Sequence, residues 1–361
     1  MSSVLNFNAG PAMLPPSVLE QVQSELRDYK GRGMSIMEMS HRSKEFEAID
    51  ARAEATLKRL LGVGDGYRAI FVQGGASTQF ATLPMNFLPQ GGTADYIVTG
   101  SWGEKAVEEV GLFGEAHIAA TTKASNYARV PNADEIKLSA TPAYVHYTTN
   151  ETIQGVQFQS VPDVGGRHLV ADMSSDILSR PIDASKFSLL YAGAQKNLGP
   201  SGVTVVVLRE DWLKQANAKV PTMLRYSTHV KNNSLYNTPP SFGIYVLDLV
   251  LQWIDGLGGL EGVAARNATK SGSLYATIDG SGGYYKGHAE AGSRSSMNVT
   301  FRLPTEALEK QFIAESQAAG MVGLAGHRSV GGIRASIYNA IGEDACKSLS
   351  AFMTEFARKN G

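Results

Sequence analysis

The sequence of 361 residues has one cysteine, almost balanced charge and no long uncharged apolar run. Cys346 cannot form an internal disulfide, and one thiol cannot build a thiolate metal cluster, so no metal site is predicted. The formal net charge of −1 argues against nucleic acid or an anionic membrane as a main partner. The most apolar segment, residues 242–254, contains Asp248 and Gln252 and is too short to span a bilayer. Because the N-terminus lacks a signal-peptide pattern, a cytoplasmic location is expected.

Hydrophobic residues make up 43% of the chain, enough for a substantial core in two or three structural units. Apolar runs typical of strands alternate with helical patterns along the first two thirds of the sequence. This alternation predicts an α/β layer with a largely parallel sheet. The predicted strands are residues 69–72, 96–99, 144–147, 168–172, 187–192 and 203–208, and the predicted helices are residues 16–29, 44–61, 76–87, 104–112 and 240–254.

A glycine cluster at residues 256–259 marks a change in organisation. A long helix is predicted after it, over residues 260–278. Short strands (297–303 and 333–337) then mix with two helices (305–319 and 343–358), which is typical of a smaller α+β domain. We therefore predict an N-terminal arm (1–16), a large domain (17–258) and a small C-terminal domain (259–361).

Lys196 lies between two apolar runs that should be interior. A lone lysine in a loop usually reaches water, but a desolvated lysine has a lowered pKa and can act as the amine nucleophile of Schiff-base chemistry. Asp172 ends another apolar run 24 positions earlier. A carboxylate so placed suits the ring nitrogen of pyridoxal phosphate, which must stay protonated to accept electrons.

The stretch around this lysine, Ala-Gly-Ala-Gln-Lys-Asn-Leu-Gly-Pro at residues 192–200, resembles the cofactor-lysine motif of the phosphoserine aminotransferase family. The resemblance covers essentially the whole chain. It implies the type I fold of class V aminotransferases, with a mixed, mostly parallel seven-stranded sheet in the large domain. It also implies pyridoxal 5′-phosphate as cofactor, with Lys196 and Asp172 as catalytic residues.

Residues 74–78, Gly-Gly-Ala-Ser-Thr, stand between a predicted strand and a predicted helix. They could be an ordinary turn, or they could present backbone amides to a phosphate at a helix N-terminus. The resemblance implies cofactor contacts from Ala76, Ser77 and Gln195 (phosphate), Trp102 (ring stacking) and Thr152 (phenolic oxygen). It further implies that Asn237 and Thr238 cross to the cofactor phosphate of a partner, which requires a homodimer with shared active sites.

Two His-Arg pairs occur in distant parts of the chain, followed by one more arginine. Each arginine alone is most simply a surface charge, but together they suit two anion sites because guanidinium groups bind carboxylate and phosphate in bidentate fashion. By resemblance, Arg334 binds the substrate α-carboxylate. The resemblance further implies that the substrate phosphate, or the side-chain carboxylate of glutamate, is bound by four residues: His41, Arg42, His327 and Arg328, the first two from the partner. Asn8 and Ala9 stand where the family often has serine, so no substrate contact is assigned to them.

The implied reaction is amino transfer between glutamate and 3-phosphohydroxypyruvate in serine biosynthesis, with a phosphorylated substrate of pyridoxine biosynthesis left open. The sequence is less suited to three alternatives. A cysteine desulfurase needs a cysteine on a mobile loop, whereas Cys346 falls in a predicted helix. An alanine–glyoxylate aminotransferase needs fewer cationic groups. A binding protein without turnover has no need of both Lys196 and Asp172.

Overall fold

The computed structural model describes residues 4–361. The helices are α1 (Pro16–Glu25), α2 (Lys44–Leu60), α3 (Gly75–Phe87), α4 (Ser101–Val110), α5 (Glu210–Leu213), α6 (Tyr226–Lys231), α7 (Ser241–Gly256), α8 (Gly259–Asp279), α9 (Glu306–Ala318) and α10 (Glu343–Asn360). The strands are β1 (Leu5–Asn6), β2 (Tyr67–Val72), β3 (Thr93–Val98), β4 (Glu115–Thr121), β5 (Val145–Thr148), β6 (Asn150–Glu151), β7 (Val156–Gln157), β8 (Leu169–Asp172), β9 (Leu189–Gly193), β10 (Thr204–Arg209), β11 (Lys286–Gly287), β12 (Asn298–Arg302), β13 (Met321–Val322) and β14 (Ile333–Ser336).

The central sheet has seven strands in the order β2-β10-β9-β8-β5-β3-β4. Strand β10 is antiparallel to both of its neighbours, and every other neighbouring pair is parallel. The predicted mixed, mostly parallel sheet is confirmed. Because parallel strands end at the same edge, the segments that follow β3, β5, β8 and β9 meet there.

Helices cover both faces of this sheet, which explains why β9 and β10 read as nearly continuous apolar runs. On one face the sheet packs against α2 and α7, and on the other against α3 and α4. Helix α2 begins at Ser43, whose hydroxyl accepts from the Phe46 amide at 3.2 Å. Its apolar stripe faces the core, since Phe46, Ile49, Ala53 and Leu57 are fully buried.

The apolar helix α7 lies inside the protein. Its Asp248 is buried and accepts the Arg52 guanidinium of α2 at 2.5 Å, so the charge in this helix is paired. In residues 4–361, no single helix is long and apolar enough to cross a membrane. Helices α7 and α8 pass that test as a pair, by length and composition only, with an 82° bend between them.

The C-terminal region builds a second core around the antiparallel sheet β11-β12-β14, with α8, α9 and α10. The N-terminal arm joins this core, because β1 pairs with β13 and Phe7 is fully buried in it. The division into residues 1–16, 17–258 and 259–361 stays a prediction.

Several elements differ from the sequence-based expectations; helix α4, for example, begins at Ser101 rather than at residue 104. Helix α1 ends at Glu25 rather than at residue 29, and Tyr29–Gly31 form a separate 3-10 turn with Lys30 at a positive φ of 53°. Strand β4 was not predicted at all. It is an edge strand with Ile118 40% exposed, and its pairing with β3 stabilises it rather than a β-forming sequence.

Candidate active site

A cavity of about 230 Å³ opens where the central strands end, and we call it the lysine cavity. It gathers residues from five separate segments of the chain. Seven of the side chains singled out in the sequence line it: Ala76, Ser77, Trp102, Thr152, Asp172, Gln195 and Lys196. The remaining lining residues are Gly74, Gly75, Thr148, Asn150, Ser174 and Ser175.

Lys196 stands in the tight connection between β9 and β10. The Gly199 amide donates to the Ala194 carbonyl at 2.8 Å, which closes the turn beneath the lysine. The Lys196 Nζ donates to Thr152 Oγ1 at 2.8 Å. Burial lowers the pKa of Lys196 to about 8, while the carboxylates of Asp172 and Glu151 oppose this shift. A useful fraction of the amine is therefore neutral, and nucleophilic, near neutral pH.

Asp172 is the last residue of β8 and is only 3% exposed. Its Oδ1 accepts from the Ser174 amide at 2.9 Å. Burial raises the pKa of this carboxyl, whereas the Ser174 hydrogen bonds and the charge of Lys196 lower it. A desolvated carboxylate of this kind is stabilised by a cation brought into the same cavity.

The first turn of α3 forms one end of the cavity. Gly74 precedes it with a φ of +98°, and a side chain there would collide with Thr78, so the turn requires glycine. The amides of Gly75, Ala76 and Ser77 have no acceptor within the helix, as is general for a first turn. Together with the helix dipole they form a site for a phosphate group.

Three polar atoms of residues that line the cavity are buried without a hydrogen-bond partner among the described residues, namely Trp102 Nε1, Thr148 Oγ1 and Asn150 Oδ1. The Lys196 Nζ lies 5.8 Å from the centroid of the Trp102 ring. The cavity thus combines an amine, a carboxylate, an aromatic plane, spare hydroxyl and indole groups and a helix N-terminus. This set fits pyridoxal phosphate, which carries an aldehyde, a ring nitrogen, a flat ring and a phosphate.

Glu151 is a residue that the sequence analysis missed. It is fully buried, and its carboxylate accepts the amides of Trp102 at 3.1 Å and Gly103 at 2.9 Å. Burial raises the pKa of Glu151 to about 7. The signal that could have revealed it is the polar run at residues 148–152, directly after a predicted buried strand.

Four basic side chains near this cavity form what we call the cationic cluster: Lys105, His327, Arg328 and Arg334. Burial, followed by the charges of Arg334, Arg328 and Lys105, lowers the pKa of His327. Lys105, which the sequence analysis missed, places its Nζ 4.7 Å from the Trp102 ring centroid. None of the four forms an ion pair with an acidic side chain within residues 4–361.

The backbone explains the placement of this cluster. Arg334 belongs to β14, opposite Thr300 of β12. Its half-buried guanidinium has an Nε without a partner in the described chain. His327 and Arg328 sit on a loop closed by the Gly326 amide, which donates to the Gly332 carbonyl at 2.8 Å.

The structure does not bring the other predicted residues into the lysine cavity. His41 and Arg42 precede α2, and Arg42 is exposed. Asn237 lines a neighbouring cavity of about 240 Å³ together with Gly74, and Thr238 is exposed beside it. Of the two positions without an assigned contact, Ala9 accepts the Tyr338 hydroxyl through its carbonyl at 2.8 Å, and the Asn8 amide donates to Asn6.

Comparison with known proteins places this geometry in a family. The family model described as aminotransferase class-V matches residues 4–349. The phosphoserine aminotransferase of Herpetosiphon aurantiacus is 62% identical over 359 residues, covering 99% of this chain and 100% of that protein. The phosphoserine aminotransferase of Bacillus subtilis is 53% identical over 360 residues, covering both chains completely.

Solved structures agree with the sequence comparison. Phosphoserine aminotransferase from Bacillus circulans subsp. alkalophilus has a TM-score of 0.98 and 57% identity, with both chains covered completely. A structure described as radiation damage of the Schiff base in phosphoserine aminotransferase has a TM-score of 0.97 and 52% identity, covering 99% of this chain and 100% of that one. The chain therefore belongs to the class-V aminotransferase family and, within it, to the phosphoserine aminotransferases, which are pyridoxal-phosphate-dependent transaminases.

Proposed function

We propose that the protein transfers the amino group of glutamate to 3-phosphohydroxypyruvate, giving O-phosphoserine and 2-oxoglutarate in serine biosynthesis. The observation that carries the proposal is the lysine cavity itself, where a buried amine, a buried carboxylate and a helix N-terminus converge beside unpaired cations. The phosphorylated substrate of pyridoxine biosynthesis, 4-phosphohydroxythreonine, presents the same two anionic groups and is compatible with the same site.

In this proposal the chain holds the cofactor at four points. The amides of Ala76 and Ser77, with the Gln195 side chain, hold the phosphate, because a helix N-terminus attracts anions. Trp102 stacks on the ring and Thr152 contacts its phenolic oxygen. Asp172 keeps the ring nitrogen protonated. When bound, pyridoxal phosphate supplies the electron sink that stabilises negative charge on the substrate α-carbon.

Lys196 has two tasks. Its Nζ would hold the bound cofactor and, once freed, would accept the proton from the substrate α-carbon and pass it on. A pKa of about 8 suits this work, since a general base is most effective when its pKa lies near the working pH. The hydrogen bond to Thr152 Oγ1 orients the amine.

The cationic cluster accounts for the choice of a phosphorylated substrate. A phosphomonoester carries about −1.5 to −2 charge near neutral pH, and burying it requires matched cations. We assign the α-carboxylate to Arg334 and the phosphate to His327 and Arg328, with His41 and Arg42 contributed by the partner subunit. Residues 17–258 then carry the cofactor and residues 259–361 cover the substrate.

A homodimer completes the proposal. It is supported by His41, Arg42 and Thr238, which do not line the lysine cavity of their own chain and so are available to a partner. Near them, Met34 and Met37 expose 43% and 55% of their surface, which is typical of an interface. Sedimentation at assay concentration should give a dimer. A fully active monomer would contradict the proposal.

A cytoplasmic location is part of the proposal, supported by a single free cysteine, as is usual in reducing compartments. That cysteine also argues against a desulfurase. Cys346 is buried within α10, and burial raises the pKa of its thiol to about 11, so it is not a ready nucleophile.

The visible absorption spectrum before and after adding glutamate tests the proposed amino transfer directly. The cofactor band should shift on addition of glutamate and return on addition of 3-phosphohydroxypyruvate. Glyoxylate serves as the control for an alanine–glyoxylate activity and should restore the band much more slowly. An unchanged spectrum with glutamate would indicate a binding protein instead.

A further inference from the structure

Helix α4 carries Trp102 but has no side-chain cap of its own, because its N-cap residue is Gly100. A carboxylate from elsewhere performs this task. Glu151 Oε2 accepts the Trp102 amide at 3.1 Å, and Oε1 accepts the Gly103 amide at 2.9 Å. Charged hydrogen bonds of this kind at a helix N-terminus also interact favourably with the helix dipole.

Glu151 is the immediate neighbour of Thr152, the hydrogen-bond partner of Lys196. The buried carboxylate of Glu151 therefore links the backbone of Trp102 to Thr152, the residue that orients the Lys196 amine. The Glu151 side chain is packed tightly against the first turn of α4. A side chain at Gly100 would collide with Glu151, and a Cβ at Gly103 would stand 3.4 Å from its Oε1.

The charge of Glu151 acts on the same amine. Glu151 is fully buried, and the charged side chains that act on it are Asp172 and Lys196. In turn, Glu151 raises the pKa of Lys196 against the effect of burial. A neutral side chain could cap the helix at a lower desolvation cost, so an acid at this position suggests a role for its charge.

We propose that Glu151 is a positioning residue for the reaction, fixing Trp102 relative to Thr152 and favouring the protonated form of the Lys196 amine. Through the first effect it sets the gap into which the cofactor ring fits. Through the second it keeps the amine basic enough to take a proton from the α-carbon. This inference rests on the proposed function, but its main readouts need no turnover.

Two variants separate the two effects. Glu151→Gln keeps the length of the side chain and removes the charge, with one oxygen left to accept an amide, whereas Glu151→Asp preserves the charge and is too short to reach both amides. The matched control is Asp95→Asn, since Asp95 is also fully buried and accepts the Ser139 amide at 2.8 Å and the Ser139 hydroxyl at 2.7 Å. It does not line the lysine cavity.

The cofactor-free protein is mixed with pyridoxal phosphate across a pH series, and the rate of cofactor attachment and the dissociation constant are measured. Glu151→Gln should shift the pH profile of the attachment rate to lower pH. Glu151→Asp should keep the wild-type profile and weaken cofactor binding by roughly tenfold, the usual loss for one charge-assisted hydrogen bond. Asp95→Asn should lower the melting temperature only.

An unshifted profile in Glu151→Gln, or wild-type affinity in Glu151→Asp, would overturn the inference. The same changes in Asp95→Asn would also overturn it, because they would reflect general destabilisation. If wild-type protein fails to bind pyridoxal phosphate, the proposed function is wrong. If it transaminates while the Glu151 variants behave as wild type, only this inference is wrong.

Discussion

The lysine cavity and the cationic cluster differ in how their charges are balanced. In the cavity, the Lys196 amine lies under the influence of three buried carboxylates, Asp172, Glu151 and, most weakly, Asp176. In the cluster, positive groups surround one another, and the pKa of His327 is lowered partly by its own cationic neighbours. The charges of the cavity are thus nearly balanced, whereas the cluster has no acidic ion-pair partner within residues 4–361.

Under the proposed function, this difference reflects what each region binds. A cofactor that stays through every turnover benefits from a rigid, preformed site on the ends of central strands. A substrate that must enter and leave brings its own negative charge, and loops such as residues 326–332 can adjust around it. The excess positive charge then complements the negative charge of the substrate. Mutations in the two regions should therefore impair different properties of the enzyme.

The largest effect is expected where the cavity loses its amine. Lys196→Ala should reduce the rate of amino transfer by at least about 10²–10⁴-fold, the usual contribution of a general base. Lys270 is the matched control. It is also buried, with a pKa lowered to about 7, but its Nζ donates to the Ile337 and Tyr338 carbonyls. Borohydride reduction and peptide mapping should locate the pyridoxyl group on Lys196, and a label on Lys270 would contradict the assignment.

The second effect concerns the carboxylate. Asp172→Asn should slow amino transfer by about 10²–10³-fold, a typical loss for one preorganised electrostatic group. Because the charge of Asp172 raises the pKa of Lys196, the variant should also lower that pKa. Single-turnover reaction with glutamate over a pH series measures both. Asp176→Asn is the control, since Asp176 is equally buried but bonded to Thr149 and Gln157, and its effect on the pKa of Lys196 is weaker than that of Asp172. An equal loss in both variants would argue against a specific role of Asp172.

Loss of a phosphate-binding arginine, either Arg328 of the cluster or Arg42 from the partner subunit, should lower the selectivity for the phosphorylated substrate. Arg42→Ala and Arg328→Ala should each lower kcat/KM for 3-phosphohydroxypyruvate by about tenfold to a hundredfold, since charged hydrogen bonds contribute about 1.5–3 kcal/mol. Hydroxypyruvate, which lacks the phosphate, should be less affected. Arg334→Ala should lower kcat/KM for both substrates by a similar factor.

The surface variant Arg59→Ala, which breaks an exposed ion pair with Asp255, is the control for that series. It should leave kcat/KM unchanged for both substrates. Two results would be incompatible with the assignment. One is a wild-type enzyme that uses both keto acids equally well, and the other is an unchanged ratio of the two in Arg42→Ala.

The smallest effect is a proton taken up with the substrate. The lowered pKa of His327 makes it neutral at pH 7 in the free protein, and a bound phosphate dianion should raise that pKa. Affinity for the phosphorylated substrate should then fall as pH rises, by at most about tenfold per pH unit for one proton. Calorimetry in buffers of different ionisation enthalpy measures the uptake. His327→Asn should abolish it, and uptake that persists in this variant would assign the proton to another group.

The sequence predicted best those features that depend on neighbouring residues. Apolar runs located most central strands, and they placed Asp172 and Lys196 at strand ends that proved to share one edge. Strand β4 was missed because an edge strand depends on its partner. Glu151 was missed because the helix it caps begins 50 positions earlier in the chain, and only the tertiary fold reveals that contact.

The N-terminal arm sets a mechanical limit. Phe7 is fixed in the C-terminal core, and the Ala12 amide donates to the Gln195 carbonyl beside the lysine at 2.8 Å. The chain between them therefore acts as a tether, whose five steps span at most roughly 18 Å when fully extended. Any swing of the C-terminal region away from the central sheet must stay within this length or pull on the turn that carries Lys196.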